Sequence, residues 1–133
     1  MTEDITYKTG IVPDIALIID LYVDAGLSRP VEDLDKMEKM FALSNLIVTA
    51  WDNDVLIGIS RTMTDGYWCY LADLAVRSDY QHKGIGRSLI NETKKQLGED
   101  CMLLLLAAPT ALSYYPKVGL RKLDNAFALD RGK

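Results

Sequence analysis

Apolar residues along this 133-residue chain switch between extended and helical spacing, and the switches divide it into elements. Residues 5–9 alternate as a first strand. From Pro13, the positions Ile15, Ile18, Ile19 and Tyr22 recur at helical spacing until Gly26, which predicts a helix over 13–25. Pro30 opens a second helical stretch that stops near Ser44 and Asn45. Its apolar stripe is Leu34, Met37, Met40 and Phe41, with Glu32, Asp33, Asp35 and Glu38 among its polar positions. Residues 46–51 and 55–64 are β-rich and flank Asp52-Asn53-Asp54, where Asn and Asp tolerate the positive φ of a hairpin. Asp65-Gly66 turns the chain into a third antiparallel strand, 67–76.

Helical spacing then returns. Gly84 and Gly86 introduce a helix with Leu89, Ile90, Thr93 and Leu97 on one face, closed by Gly98. Residues 101–107 are almost uniformly apolar, as expected for a strand covered on both faces, so 67–107 reads as a right-handed βαβ unit. Pro109 ends it, 111–118 fits a short helix capped by Gly119, and 120–129 a last strand. No repeat, linker or low-complexity segment interrupts this order. The expectation is one domain over 1–133, of α/β (α+β) class, with a mixed, mostly antiparallel sheet flanked by helices.

Composition narrows the functions open to such a domain. Fifteen Lys and Arg against 19 Asp and Glu give a net charge of -4, the wrong sign for a phosphate backbone, so no nucleic-acid partner is expected. The longest purely apolar run, 102–108, falls well short of the ~18 residues of a membrane span, and no membrane partner is expected. The start, Met1-Thr2-Glu3-Asp4, lacks the basic and then apolar pattern of a signal peptide, which makes a cytoplasmic location the default. Cys69 and Cys101, each in an apolar strand-like segment, then read as reduced core thiols. One His and two Cys are too few for a zinc site, and no metal is expected.

The stretch 74–90 holds the candidate chemistry. A glycine-bearing loop running from strand to helix leaves the helix's first N–H groups unpaired and lets a ligand approach the backbone, which suits a pyrophosphate. Arg77, Lys83 and Arg87 against Asp79 give this stretch +2, so the remaining residues carry -6. A positive island in an acidic chain suggests a bound anion, although a solvated basic loop has the same composition. His82, the only histidine, adds to the island. The segment lacks the spacing and the Gly-Lys-Ser/Thr end of a P-loop. A dinucleotide fingerprint would need a glycine where Leu89 stands and an acid where Ala107 and Ala108 stand.

What remains, Gln81-His82-Lys83-Gly84-Ile85-Gly86, resembles the Gln/Arg-x-x-Gly-x-Gly/Ala acetyl-CoA signature of the GNAT N-acetyltransferase superfamily. Two flanking features strengthen the likeness. The strand ending Asp73-Leu74-Ala75-Val76 lies just before the loop, and Tyr114-Tyr115-Pro116-Lys117-Val118-Gly119-Leu120 is similar to the family's Phe-Tyr-x-Lys-x-Gly-Phe segment. The resemblance covers most of the chain and is weakest over 10–45, where such proteins build their acceptor pockets.

The resemblance implies a GNAT-like fold and acetyl-CoA as cosubstrate, lying between splayed strands that carry Leu74 and Leu104. Main-chain groups of Leu74, Ala75 and Val76 would hold the acetyl carbonyl and pantetheine, while Gln81, His82, Lys83, Gly84, Ile85, Gly86 and Arg87 would hold the pyrophosphate. An acceptor amine would attack the thioester directly in a ternary complex. The Leu74 N–H is then the oxyanion donor, and Tyr115 matches the family's general-acid tyrosine, with Tyr114 packing. Some members carry a glutamate four residues before Leu74, where this chain has Tyr70. The base therefore stays open between Asp73, which strict alternation points away from Leu74, and a water chain; Tyr70 and Asp73 are the candidate acceptor-binding residues.

By the resemblance, the acidic stretch Glu32 to Glu38 lies in the part of the chain that walls the acceptor pocket, which would suit a small cationic amine, although a solvated helix face accounts for the same residues. A catalytically idle acyl-CoA-binding sensor or interaction module is the alternative, and a nucleotide-binding Rossmann protein a more distant one. Small chains of this family often dimerise, so a homodimer is a further implication.

Overall fold

A computed structural model describes residues 4–132. Residues 1–3, on which the expectation about a signal peptide partly rests, lie outside that range. The elements are β1 (Ile5–Thr9), α1 (Ile15–Ala25), α2 (Leu34–Ala42), β2 (Leu46–Asp52), β3 (Val55–Thr64), β4 (Trp68–Val76), α3 (Ile85–Leu97), β5 (Met102–Leu104) and a single-turn α4 (Tyr114–Lys117). Short 3-10 turns occupy Ser78–Tyr80 and Pro109–Ala111.

The five strands lie in sequence order. β1 to β4 form an antiparallel meander, and α3 returns the chain so that β5 runs parallel to β4. One face is covered by α1 and α2, where Ile18, Leu21, Tyr22, Met37 and Phe41 meet Ile47, Ile59 and Ala75. The other is covered by α3, where Ile85 and Leu89 meet Val48, Ala50 and Ile57. β3 sits between two neighbours and two layers, and seven consecutive residues of it, Leu56 to Thr62, are buried.

The helices start later than the spacing alone indicates. α1 begins at Ile15, two residues past Pro13. α2 begins at Leu34 because the Asp33 side chain accepts the Lys36 N–H at 3.1 Å and fixes the N-cap there, which leaves Pro30 in the preceding turn. Gly26 takes the left-handed conformation that closes α1.

The C-terminal third differs from expectation. Only Met102–Leu104 of the apolar run 101–107 is a strand, and it is not covered on both faces: Met102 is 44% exposed and Leu106 68%. The expected strand over 120–129 is absent, and Phe127 and Leu129 are fully exposed. The two corrections share a cause. Arg121, Lys122, Asp124 and Asn125 break the alternation after Leu120, so no partner forms beside β5, which ends the sheet as a three-residue edge. The helix expected over 111–118 is confined to the 3-10 turn and α4.

Cys69 and Cys101 are free and buried. No described helix is long and apolar enough to cross a membrane.

Candidate active site

The site begins where β4 and β5 part. Their parallel pairing covers Trp68, Cys69 and Tyr70 opposite Met102, Leu103 and Leu104 and stops there, while β4 continues to Val76. A break in alternation accompanies the parting. Arg61 faces Asp73 but Thr62 faces Leu71, so Ala72 is an extra residue in β4, a β-bulge. The bulge resets the faces: Tyr70 and Asp73, partners of Met63 and Arg61, come to one side of the sheet and Leu74 to the other.

Beyond the bulge the phase of the ladder is fixed by the Arg77 N–H, which donates to the Ile57 carbonyl at 2.8 Å. Ala75 and Asp73 therefore turn their main-chain groups toward β3. Leu74 and Val76 turn theirs into the gap that β5 has vacated. The side-chain amide of Gln81 donates to the Val76 carbonyl at 3.0 Å and so ties the loop to the strand.

The loop then shapes the far end of a cleft of about 870 Å³. His82 (φ 65°) and Gly84 (φ 83°) are both left-handed, a conformation that costs glycine little and orients successive N–H groups to one side. α3 starts at Ile85 with no side-chain cap, so its first N–H groups lack intrahelical acceptors. Gly86 has a different role: a Cβ there would lie 2.5 Å from the Tyr114 hydroxyl. Arg87 and Lys117 stand at this end, and the Arg87 guanidinium donates to the Lys117 carbonyl at 3.3 Å.

Tyr114 and Tyr115 both line the cleft, their rings edge to face. Burial pushes the Tyr115 phenol above its ordinary value, and the neighbouring Tyr114 adds to the shift. Burial also raises Tyr114, against the opposing charge of Arg87.

At the other end, the loop after α1 brings Arg29 over the bulge. Its guanidinium donates through Nε to Asp73 Oδ1 (2.6 Å) and through its terminal nitrogens to the carbonyls of Ala72 (2.7 Å) and Ser28 (2.6 Å). Asp73 is itself buried, accepting at Oδ2 from Arg61 Nε (2.6 Å) and the Tyr22 hydroxyl (2.7 Å). Burial opposes the Asp73 charge, but the Arg61 guanidinium outweighs it with help from Tyr22 and Arg29, and the carboxyl is held below the usual carboxylate range.

Residues 20–130 match the family described as the acetyltransferase (GNAT) domain. The chain belongs to the GNAT acetyltransferase domain family. An uncharacterised N-acetyltransferase, ycf52, of Pyropia yezoensis is 32% identical over 73 residues, which cover 53% of this chain and 42% of that protein. The match thus spans about two fifths of that relative's length. Among solved structures, a probable acetyltransferase of unknown function from meticillin-resistant Staphylococcus aureus superposes at TM-score 0.78 and 25% identity, over 96% of this chain and 99% of the other. A GNAT family acetyltransferase from Streptococcus pneumoniae has the same fold, at TM-score 0.77, 22% identity and 97% and 100% coverage.

Most residues singled out in the sequence line this GNAT cleft. Leu74, Ala75 and Val76 form its strand side, and Gln81, His82, Gly84, Ile85, Gly86 and Arg87 its loop side, and Tyr115 lines both this cleft and a second one. Three lie elsewhere. The Lys83 ammonium sits over the Tyr80 ring at 5.3 Å. Asp73 points into its arginine cluster. Tyr70 lines a second cleft of about 720 Å³ between β5 and the C-terminal segment. One more member of the basic island is diverted, since Arg77 pairs with Asp20 at 2.5 Å, and the neighbouring Ser78 N–H donates to Asp24. Glu32, Asp33, Asp35 and Glu38 do not line the cleft, nor does any other described carboxylate.

Arg29 was not legible as a site residue by motif. A local signal exists: it is the only Lys or Arg between Lys8 and Lys36, three residues after the glycine that closes α1.

Proposed function

We propose that this chain acts as one acetyltransferase domain that moves the acetyl group of acetyl-CoA to the amine of a small acceptor by direct attack. The observation that carries the reading is the gap between β4 and β5, into which Leu74 turns its main-chain groups, continuous with the left-handed loop at the start of α3. A pantetheine arm is a strand-like chain with amide groups, and the unpaired side of β4 offers it the pairing that β5 gives up. The diphosphate is suited to the N–H groups of the loop, with Arg87 and Lys117 supplying opposite charge.

In this arrangement the Leu74 N–H donates to the thioester carbonyl as negative charge develops on its oxygen. Tyr115 supplies the proton for the departing thiolate. Burial holds the Tyr115 phenol above its ordinary value, so it stays protonated at neutral pH and has a proton to give as the thiolate departs. Asp73 is a poor base because two guanidinium groups and a phenol stabilise its charged form. With Tyr70 in the second cleft, the amine's proton is left to water.

The test is release of free CoA from acetyl-CoA across a panel of amines, together with CoA affinity. Amine-dependent release supports transfer. Tight CoA binding with no release for any amine would mark an idle acyl-CoA sensor instead.

A further inference from the structure

We infer that the acceptor carries a carboxylate close to its amine, and that Arg29 binds it; the inference deepens the acetyl-transfer reading and rests on it. The charge around the bulge does not balance. Asp73 supplies one negative charge to two guanidinium groups, those of Arg29 and Arg61, and the cluster keeps a net positive charge.

The two arginines are not equivalent. Arg61 is buried and donates in addition to the Ser44 hydroxyl and the Met40 carbonyl. Arg29 lines the cleft, with its side chain 29% exposed, and so brings the surplus charge to the cleft wall. Nor is it a loose surface cation. A buried carboxylate, the main chain of the bulge and its own loop each accept one of its N–H groups. A guanidinium has five such donors, which leaves two N–H groups, one on each terminal nitrogen, beyond these three.

Position decides which ligand. Arg29 is anchored on Ala72, two residues before Leu74, or about 7 Å along the strand, on the side away from Gln81 and α3. The other cations of the cleft, Arg87 and Lys117, are together at the α3 end. Arg29 is therefore the cation of the acceptor end, and no described Asp or Glu lines the cleft to offset it. A diamine or other polycation would meet like charge there. An amino acid, with its amine aimed at the thioester by Leu74 and its carboxylate a few bonds away, would meet the opposite charge.

The experiment titrates CoA-saturated protein by calorimetry with α-, β- and γ-amino acids, with the amides of the same compounds and with a diamine, and follows thiol release with acetyl-CoA in parallel. Expected is binding of at least one acid about tenfold or more tighter than its amide, with the diamine weakest. Arg29→Gln should bring acid and amide to equal affinity, and Arg29→Lys should keep part of the preference, both with parental CoA affinity. Should Arg29→Gln fail to fold, the acid-to-amide ratio of the parent and of Arg29→Lys still decides. Equal affinity for acid and amide, tighter binding of the diamine, or no binding of any acid overturns the inference. Selective binding of acids without thiol release for any amine would leave the carboxylate site standing and sink acetyl transfer.

Discussion

At the residue scale, Asp73 shows how a polar residue that looks catalytic in sequence becomes a support in the fold. Its neighbour Leu74 sits at the proposed thioester, and a carboxylate beside it invites assignment as a base. The single extra residue at Ala72 turns the side chain into the α1 layer, where Tyr22, Arg29 and Arg61 close around it. Removing its charge leaves Arg61 buried and unpaired, so Asp73→Asn should cost about 3–5 kcal/mol in denaturant unfolding. The folded-state pKa of Asp73 is depressed, so its contribution is present above the unfolded value near ~3.9 and is lost as pH falls through the lower folded value. Stability of the parent should drop through that acid range more steeply than that of Asp73→Asn. Equal acid limbs would mean that the cluster does not hold Asp73 charged.

Tyr115 makes a separable claim on the same scale. Phe keeps the ring against Tyr114 and loses only the hydroxyl. Tyr115→Phe should lower turnover by ~10² to 10⁴ at saturating acetyl-CoA, with CoA affinity unchanged. Turnover within about threefold of the parent would assign the tyrosine to packing.

At the element scale, the loop from β4 into α3 was the most legible feature, because backbone conformation there is written in residue type. Gly84 takes φ 83°, and no heavy atom lies within 4 Å of where its Cβ would be, so its requirement is conformational and not steric. Gly84→Val should therefore weaken CoA binding strongly through a reshaped loop while leaving the apo melting temperature little changed, since the loop adds little to the core. Unchanged CoA affinity would place the diphosphate elsewhere. Gly86 was legible only in part. The sequence marks it as a glycine of the signature, whereas its neighbour in space, the Tyr114 hydroxyl, comes from a segment 28 residues later. The bulge was not legible at all. Cys69, Leu71, Asp73 and Ala75 are all buried, so the pattern looks unbroken even though the pairing slips by one.

At the scale of the whole molecule, the order of strands and helices through α3 could be read from spacing, since each apolar face has a single layer to cover it. The last third could not. An apolar run predicts burial only if a partner arrives, and after Gly119 the charged residues around Leu120 and Leu123 prevent one from forming in this chain. The proposed acceptor end was likewise hidden, because Arg29 reaches Ala72 from a loop more than 40 residues before the strand that it grips. The central claim is that acetyl-CoA occupies the gap that β5 leaves beside β4. Residue-resolved amide hydrogen exchange, with and without saturating acetyl-CoA, tests it most directly. Exchange should slow at Leu74 and at Gly84, Ile85, Gly86 and Arg87, with little change at Tyr70 or at Arg121, Lys122 and Leu123, which line the second cleft and not the first. Protection absent from Leu74 and the loop, or confined to β5 and the C-terminal segment, would contradict the placement.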